Sequence, residues 1–110
     1  WGLAYENRPA QHQGASASLF AYARFAAGAG RLIVVVANVG SGGQASGKLR
    51  VPLALLDASA VGGPSIEVRR MLDGAGKADE IVTTAAREDL AERGFDAVVE
   101  GQRTNVYLLV

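Results

Sequence analysis

The chain of 110 residues contains no cysteine. Disulfides, thiolate metal sites and a cysteine nucleophile are therefore excluded. Histidine is nearly as scarce, with His12 standing alone in the stretch AQHQG. One imidazole supplies one metal ligand, and no Ser/Asp partner pattern accompanies it. Neither sign of charge is in excess, because 11 Lys and Arg balance 11 Asp and Glu. That balance points away from nucleic acid, and no basic amphipathic stretch points to a membrane surface. The longest aliphatic run, Leu32 to Ala37, is too short to span a bilayer. Aromatic residues make up only 6%, which leaves little flat apolar surface for stacking on sugars. No N-x-Ser/Thr acceptor occurs at Asn7, Asn38 or Asn105, and no N-terminal signal pattern is found. The chain starts at Trp1 rather than Met, as expected of a fragment or a processed piece.

Apolar residues, by contrast, are plentiful at 49%, enough for one domain with a sizeable core. Residues 1–15 are polar and irregular after the Trp1/Leu3/Tyr5 alternation and read as a linker or arm; residues 16–110 read as the domain. SLFAYARF (18–25) predicts a strand with Leu19, Ala21, Ala23 and Phe25 on one face and Phe20, Tyr22 and Arg24 on the other. RLIVVVANV (31–39) is apolar on both faces and predicts a central strand covered on both sides. KLRVPLALL (48–56) alternates Leu49, Val51, Leu53 and Leu55 against Lys48, Arg50, Pro52 and Ala54, which predicts a third strand with Pro52 at an edge or bulge.

SIEVRRML (65–72) starts as a strand with Ile66 and Val68 inward, and Arg70 breaks the register, so a bulge is expected. DGAGK carries an Asp-Gly hairpin signal, and EIVT (80–83) is a short strand. AAREDLAER (85–93) predicts a short helix: Thr84 can cap it, Asp89 and Arg93 are spaced i,i+4, and Gly94 can end it. FDAVVE and TNVYLLV then form a closing hairpin around Gly101, with Phe95, Ala97 and Val99 on one face matched by Val106, Leu108 and Val110. About seven short strands with glycine-rich turns predict an all-β, antiparallel two-sheet β-sandwich of Greek-key type, with one short helix near 85–93.

The glycine-rich stretch VVVANVGSGGQASGKL (34–49) imitates two nucleotide motifs. From Gly42 it reads G-x-x-x-x-G-K, and from Gly40 it reads G-x-G-x-x-A. A phosphate-binding loop needs a Ser or Thr after its Lys and a helix N-terminus facing the phosphates. Here Leu49 follows Lys48, the next residues alternate with period two, and Pro52 would interrupt a helix. Asp57 follows too closely to end a second, metal-binding strand, and the repeated β-α-β units of a dinucleotide fold are missing. The stretch reads as a hairpin loop of small residues, and no cofactor or nucleotide is expected.

Other candidate chemistry has plainer explanations. Glu88, Asp89 and Glu92 resemble paired carboxylates but interleave with Arg87 and Arg93, as on a solvated helix face. Arg69-Arg70 is too short for a nucleic-acid patch. Tyr22 and Tyr107 lie on strands and are expected to pack, which leaves Trp1 and Tyr5 as the freest sugar-stacking candidates. No catalytic, cofactor-binding or metal-ligating set is predicted.

LFAYAR (19–24), LIVVVANVG (32–40), VPLALL (51–56), VRRMLDG (68–74) and NVYLLV (105–110), in that order, resemble the C-terminal β-sandwich of α-amylase-family glycoside hydrolases, with neopullulanases and cyclomaltodextrinases nearest. The likeness covers residues 16–110; the arm is unmatched, and TTAAREDLAERG (83–94) is longer than the link usual in the family. The resemblance implies an α-glucan-acting parent enzyme whose catalytic acids lie on a preceding (β/α)8 barrel. No segment here matches that barrel, so it implies a non-catalytic accessory domain with no catalytic residue of its own. Two other readings compete with it: a carbohydrate-binding module taking up α-glucan, and an unrelated immunoglobulin-like interaction domain. A domain that packs on a barrel should carry an uncovered apolar sheet face, with Phe20, Tyr22 and one side of Leu32 to Ala37 as candidates. A free fragment would hide that face as a homodimer, or fold its arm over it through Leu3 and Tyr5.

Overall fold

The computed structural model describes residues 5–9, 11–13, 19–40, 43–62, 64–73 and 76–110; for 5–13, 73 and 76–78 it describes the backbone alone. The chain is an all-β antiparallel sandwich. Among the described residues the strands are β1 (Tyr5–Pro9), β2 (Gln11–Gln13), β3 (Leu19–Ala26), β4 (Leu32–Asn38), β5 (Ala45–Arg50), β6 (Ile66–Asp73), β7 (Gly76–Ala85), β8 (Phe95–Val99) and β9 (Thr104–Leu109). A six-stranded sheet has the order β1-β3-β4-β9-β6-β7, and a three-stranded sheet has the order β2-β5-β8. Two helices, α1 (Leu53–Ser59) and α2 (Arg87–Glu92), sit in connections between the sheets.

The arm departs from the linker expected at residues 1–15. Its described parts pair as strands, β1 with β3 and β2 with β5, so it passes from one sheet edge to the other rather than lying over a face.

Alternation decides the core. Leu19, Ala23 and Phe25 from β3, Leu32, Val34 and Val36 from β4, and Ile66 and Val68 from β6 are buried against Leu49 of β5 and Phe95, Ala97 and Val99 of β8. Burial of each such aliphatic or aromatic side chain contributes about 1.5–3 kcal/mol before the entropy of ordering is counted. The expected bulge is present, because the β6 register shifts between Arg70 and Leu72 against both of its neighbours.

Two expectations about the connecting segments are corrected. The strand expected over 48–56 ends at Arg50, and the chain turns into α1. Pro52 stands at the helix start, where its missing N–H costs nothing, and Leu55, Leu56 and Ser59 form the buried side. The Leu and Ala positions are also compatible with a helix, which puts the adjacent Leu55 and Leu56 on one buried side together with Ser59. Thr84 does not cap α2; it lies in β7, and Ala86 occupies the cap position without a side-chain bond. Gly94 does end the helix, with φ near +75°, and Asp89 and Arg93 do pair, at 3.8 Å.

The closing hairpin is not a hairpin. β8 pairs with β5 in the small sheet, whereas β9 crosses to the large sheet and inserts between β4 and β6. Two buried asparagines tie this arch together. Asn38 donates to the carbonyls of Val99 (2.9 Å) and Gly43 (3.0 Å), and Asn105 donates to Val98 (3.0 Å) and to the Tyr107 hydroxyl (3.1 Å). Both side chains reach from the large sheet to backbone carbonyls of β8 in the small one. Tyr107 packs edge-on against Phe95 with ring centroids 5.0 Å apart. The inward set of β9 is thus Asn105, Tyr107 and Leu109, and the Val106/Leu108/Val110 set faces outward.

Candidate docking face

Among its described residues the glycine-rich stretch lacks the strand–loop–helix order of a phosphate-binding loop, and Ser41 and Gly42 lie outside the described residues. Gly47 and Lys48 lie inside β5, no helix follows them until Leu53, and Lys48 meets Asp96 of the neighbouring strand at 3.4 Å. The loop is not a hairpin either, because β4 and β5 belong to different sheets. Asp57 sits on α1, where it pairs with Arg87 of α2. The same guanidinium donates to the Val61 carbonyl at 3.0 Å, so these groups latch the two helices together.

Glu88, Asp89 and Glu92 are exposed, as a solvated helix face requires. Among the described residues no three His, Cys, Asp or Glu stand together as a metal site would need. Trp1 lies outside the described residues. Tyr5 opens β1 opposite Ala26, and His12 lies in β2 opposite Leu49. Tyr107, expected to pack, is buried. Burial pushes its phenol above the ordinary tyrosine value, and the Asn105 hydrogen bond and the Arg70 charge offset only part of that shift. Tyr22 does not pack: it is 41% exposed on the outer side of β3.

That outer side belongs to a continuous apolar surface. Strand registers set it out in rows across the large sheet. One row runs Tyr22, Val35, Val106 and Leu72; the next runs Arg24, Ile33, Leu108, Arg69 and Ile81; Phe20 stands beside Ala37 at the end. Phe20 is 62% exposed and Ile81 51%, while Ile33, Val35, Val106 and Leu108 are half-buried only by one another and their neighbours. The central strand β4 is thus covered on its inner side, whereas its outer side, contrary to expectation, is covered by no described residue. At about 4.8 Å between strands and about 7 Å between rows, the apolar part spans on the order of 300–400 Å², the size at which a patch on a monomer commonly serves an interaction.

The other surfaces contrast with it. The small sheet turns Ser46, Lys48 and Asp96 outward, with Val98 the exposed apolar residue among them. The sheet edges are guarded against strand addition. β1 is short and ends in Pro9, and β2 has three residues. β7 shifts register along its length and carries Asp79 and Glu80. The last two carbonyls of β8 are taken by the asparagines. Among the described residues the fold blunts its edges and leaves one face bare.

Charges sit at opposite margins of that face. Arg24 is exposed on β3 and makes no ion pair with a described residue. Across the sheet, Arg69 binds Glu67 at 2.6 Å and Asp79 at 3.0 Å, a cluster of one cation and two carboxylates. Hydrogen bonding to Glu67, then to Asp79, raises the guanidinium pKa further above its ordinary value.

No family model, curated protein or solved structure matches the chain.

Proposed function

We propose that this chain is the non-catalytic C-terminal β-sandwich of an α-amylase-family glycoside hydrolase acting on α-glucans, and that the outer face of its six-stranded sheet packs on the catalytic barrel. The observation that carries the reading is the bare apolar face on a fold whose edges are guarded and whose opposite face is polar. Covering apolar surface is favourable at roughly 25 cal/mol per Å², so such a face is a standing source of docking energy. The resemblance of the ordered segments from LFAYAR to NVYLLV supports that family, and with it the barrel as the partner.

The chain's part is mechanical: it shields barrel surface and stabilises the enzyme, and the barrel holds the chemistry. Glycoside hydrolysis usually requires two carboxylates facing the scissile bond. Purified chain incubated with starch, pullulan or cyclodextrins accordingly releases no sugar. Val106→Lys, on the bare face, lowers the stability of the natural polypeptide while changing that of the dilute isolated chain by less than about 1 kcal/mol. Equal losses in both would refute the docking role.

A carbohydrate-binding role has one observation in its favour, the exposed pair Phe20 and Tyr22 on one strand face. Saturable glucan binding lost in Tyr22→Ala would favour it.

A further inference from the structure

We infer that the bare face is self-complementary, and that the free chain pairs with a second copy through it about a two-fold axis parallel to the strands. The inference rests on the same face as the docking role but asks a separate question of it. The large sheet has its midline between β4 and β9, with β3 and β6 equally far to either side. Rotation about an axis along that midline lays β4 over the partner's β9 and β3 over the partner's β6. Each row meets itself reversed. Ile33 and Leu108, cross-strand partners within one sheet, then also meet across the two copies, as do Val35 and Val106. Tyr22 comes over the register position of Leu72.

The same rotation lays exposed Arg24 over the register position of Arg69, within reach of the two carboxylates, Glu67 and Asp79, that flank this guanidinium and give the cluster one more negative than positive charge. A two-fold axis makes this contact twice. An in-plane axis perpendicular to the strands reverses the order along β3 and brings Arg24 towards the Phe20 end instead, leaving the charges unmatched. Aligned packing of two twisted sheets at about 30° keeps the rows in contact. The full face is about 25 Å wide and about 20 Å long, on the order of 500 Å² of flat footprint, which in accessible surface approaches the roughly 800 Å² per partner of a standard interface. In a polypeptide that also holds a docking partner for this face, the high effective concentration of that partner displaces the second copy.

Sedimentation velocity over a concentration series tests the pairing. Wild-type chain sediments as a concentration-dependent dimer. Arg24→Glu and Asp79→Arg, each checked by circular dichroism for an intact fold, each weaken dimerisation about tenfold, because the contact occurs twice and reversal adds repulsion. The double variant Arg24→Glu/Asp79→Arg recovers to within about threefold of wild type, since the pair is restored with its signs exchanged. Lys48→Glu, on the small sheet, leaves the dimer unchanged. A wild-type chain that stays monomeric at every concentration overturns the pairing, and so does a dimer indifferent to the charge reversals. Neither result touches the docking role, which fails separately if Val106→Lys affects the natural polypeptide and the isolated chain alike.

Discussion

Replacing Gly94 by alanine tests the corner where α2 hands over to β8. Gly94 has φ near +75°, a region that costs an L-residue about 1–2 kcal/mol. An added Cβ would also lie 2.0 Å from the Leu49 carbonyl oxygen and 2.5 Å from its carbon. Those are backbone atoms of β5, and no rotamer change can move them. Leu49 pairs with Phe95 and is itself buried, so relief requires shifting the small sheet against the core. Overpacking of this kind costs about 1–3 kcal/mol, which brings the total to about 2–5 kcal/mol. Gly28 is the internal control. Its φ is +71°, but an added Cβ meets nothing within 4 Å, so Gly28→Ala should cost only the conformational part, about 1–2 kcal/mol. Urea unfolding followed by far-ultraviolet circular dichroism measures both. Gly94→Ala losing no more stability than Gly28→Ala would refute the close approach of β5 to this corner.

Three further outcomes follow from the geometry. Asn38→Ala leaves the Val99 and Gly43 carbonyls without their donor and should cost about 2–4 kcal/mol in the same urea assay. The Tyr107 phenol has a folded-state pKa above its unfolded value of 10.0, so the fold favours the protonated form; the stability this gives is complete below pH 10 and is lost as pH rises through the folded value. Alkaline unfolding should accordingly steepen above pH 10 in wild type and flatten in Tyr107→Phe. Lys48→Ala removes only an exposed ion pair and should change stability by less than about 1 kcal/mol, and calorimetry with magnesium ATP or NAD should detect no binding to either protein.

Strands whose faces differ chemically were legible from alternation alone: the two sides of β3, the central place of β4 and the bulge at Arg70 all follow from the residues. The helix α2 was legible through Asp89, Arg93 and Gly94, each acting within one turn. What the sequence concealed is non-local. Nothing in FDAVVE and TNVYLLV says that neighbouring strands go to different sheets, because either pairing satisfies period two. Matching Val106, Leu108 and Val110 to Phe95, Ala97 and Val99 put Asn105 and Tyr107 on the other side of β9. They turn inward because Asn105 finds the Val98 carbonyl and Tyr107 finds the Phe95 ring, partners that exist only once the sheets stack. That choice pushes Val106 and Leu108 outward and helps to create the bare face. Leu53 to Ser59 was ambiguous for a different reason: a seven-residue stretch made mostly of Leu and Ala fits both periodicities, and burial of Leu55, Leu56 and Ser59 on one side goes with the helix.

Because the chain lacks cysteine, single introduced thiols report coverage of each face with no background from the chain itself. The most direct measurement compares maleimide labelling of Tyr22→Cys, on the bare face, with that of Ser46→Cys, on the polar face of the small sheet, in the dilute isolated chain and in the natural polypeptide. The docking account predicts fast labelling of both sites in the isolated chain and selective protection of position 22, by at least about tenfold, in the natural polypeptide. Equal labelling of position 22 in both settings would contradict it.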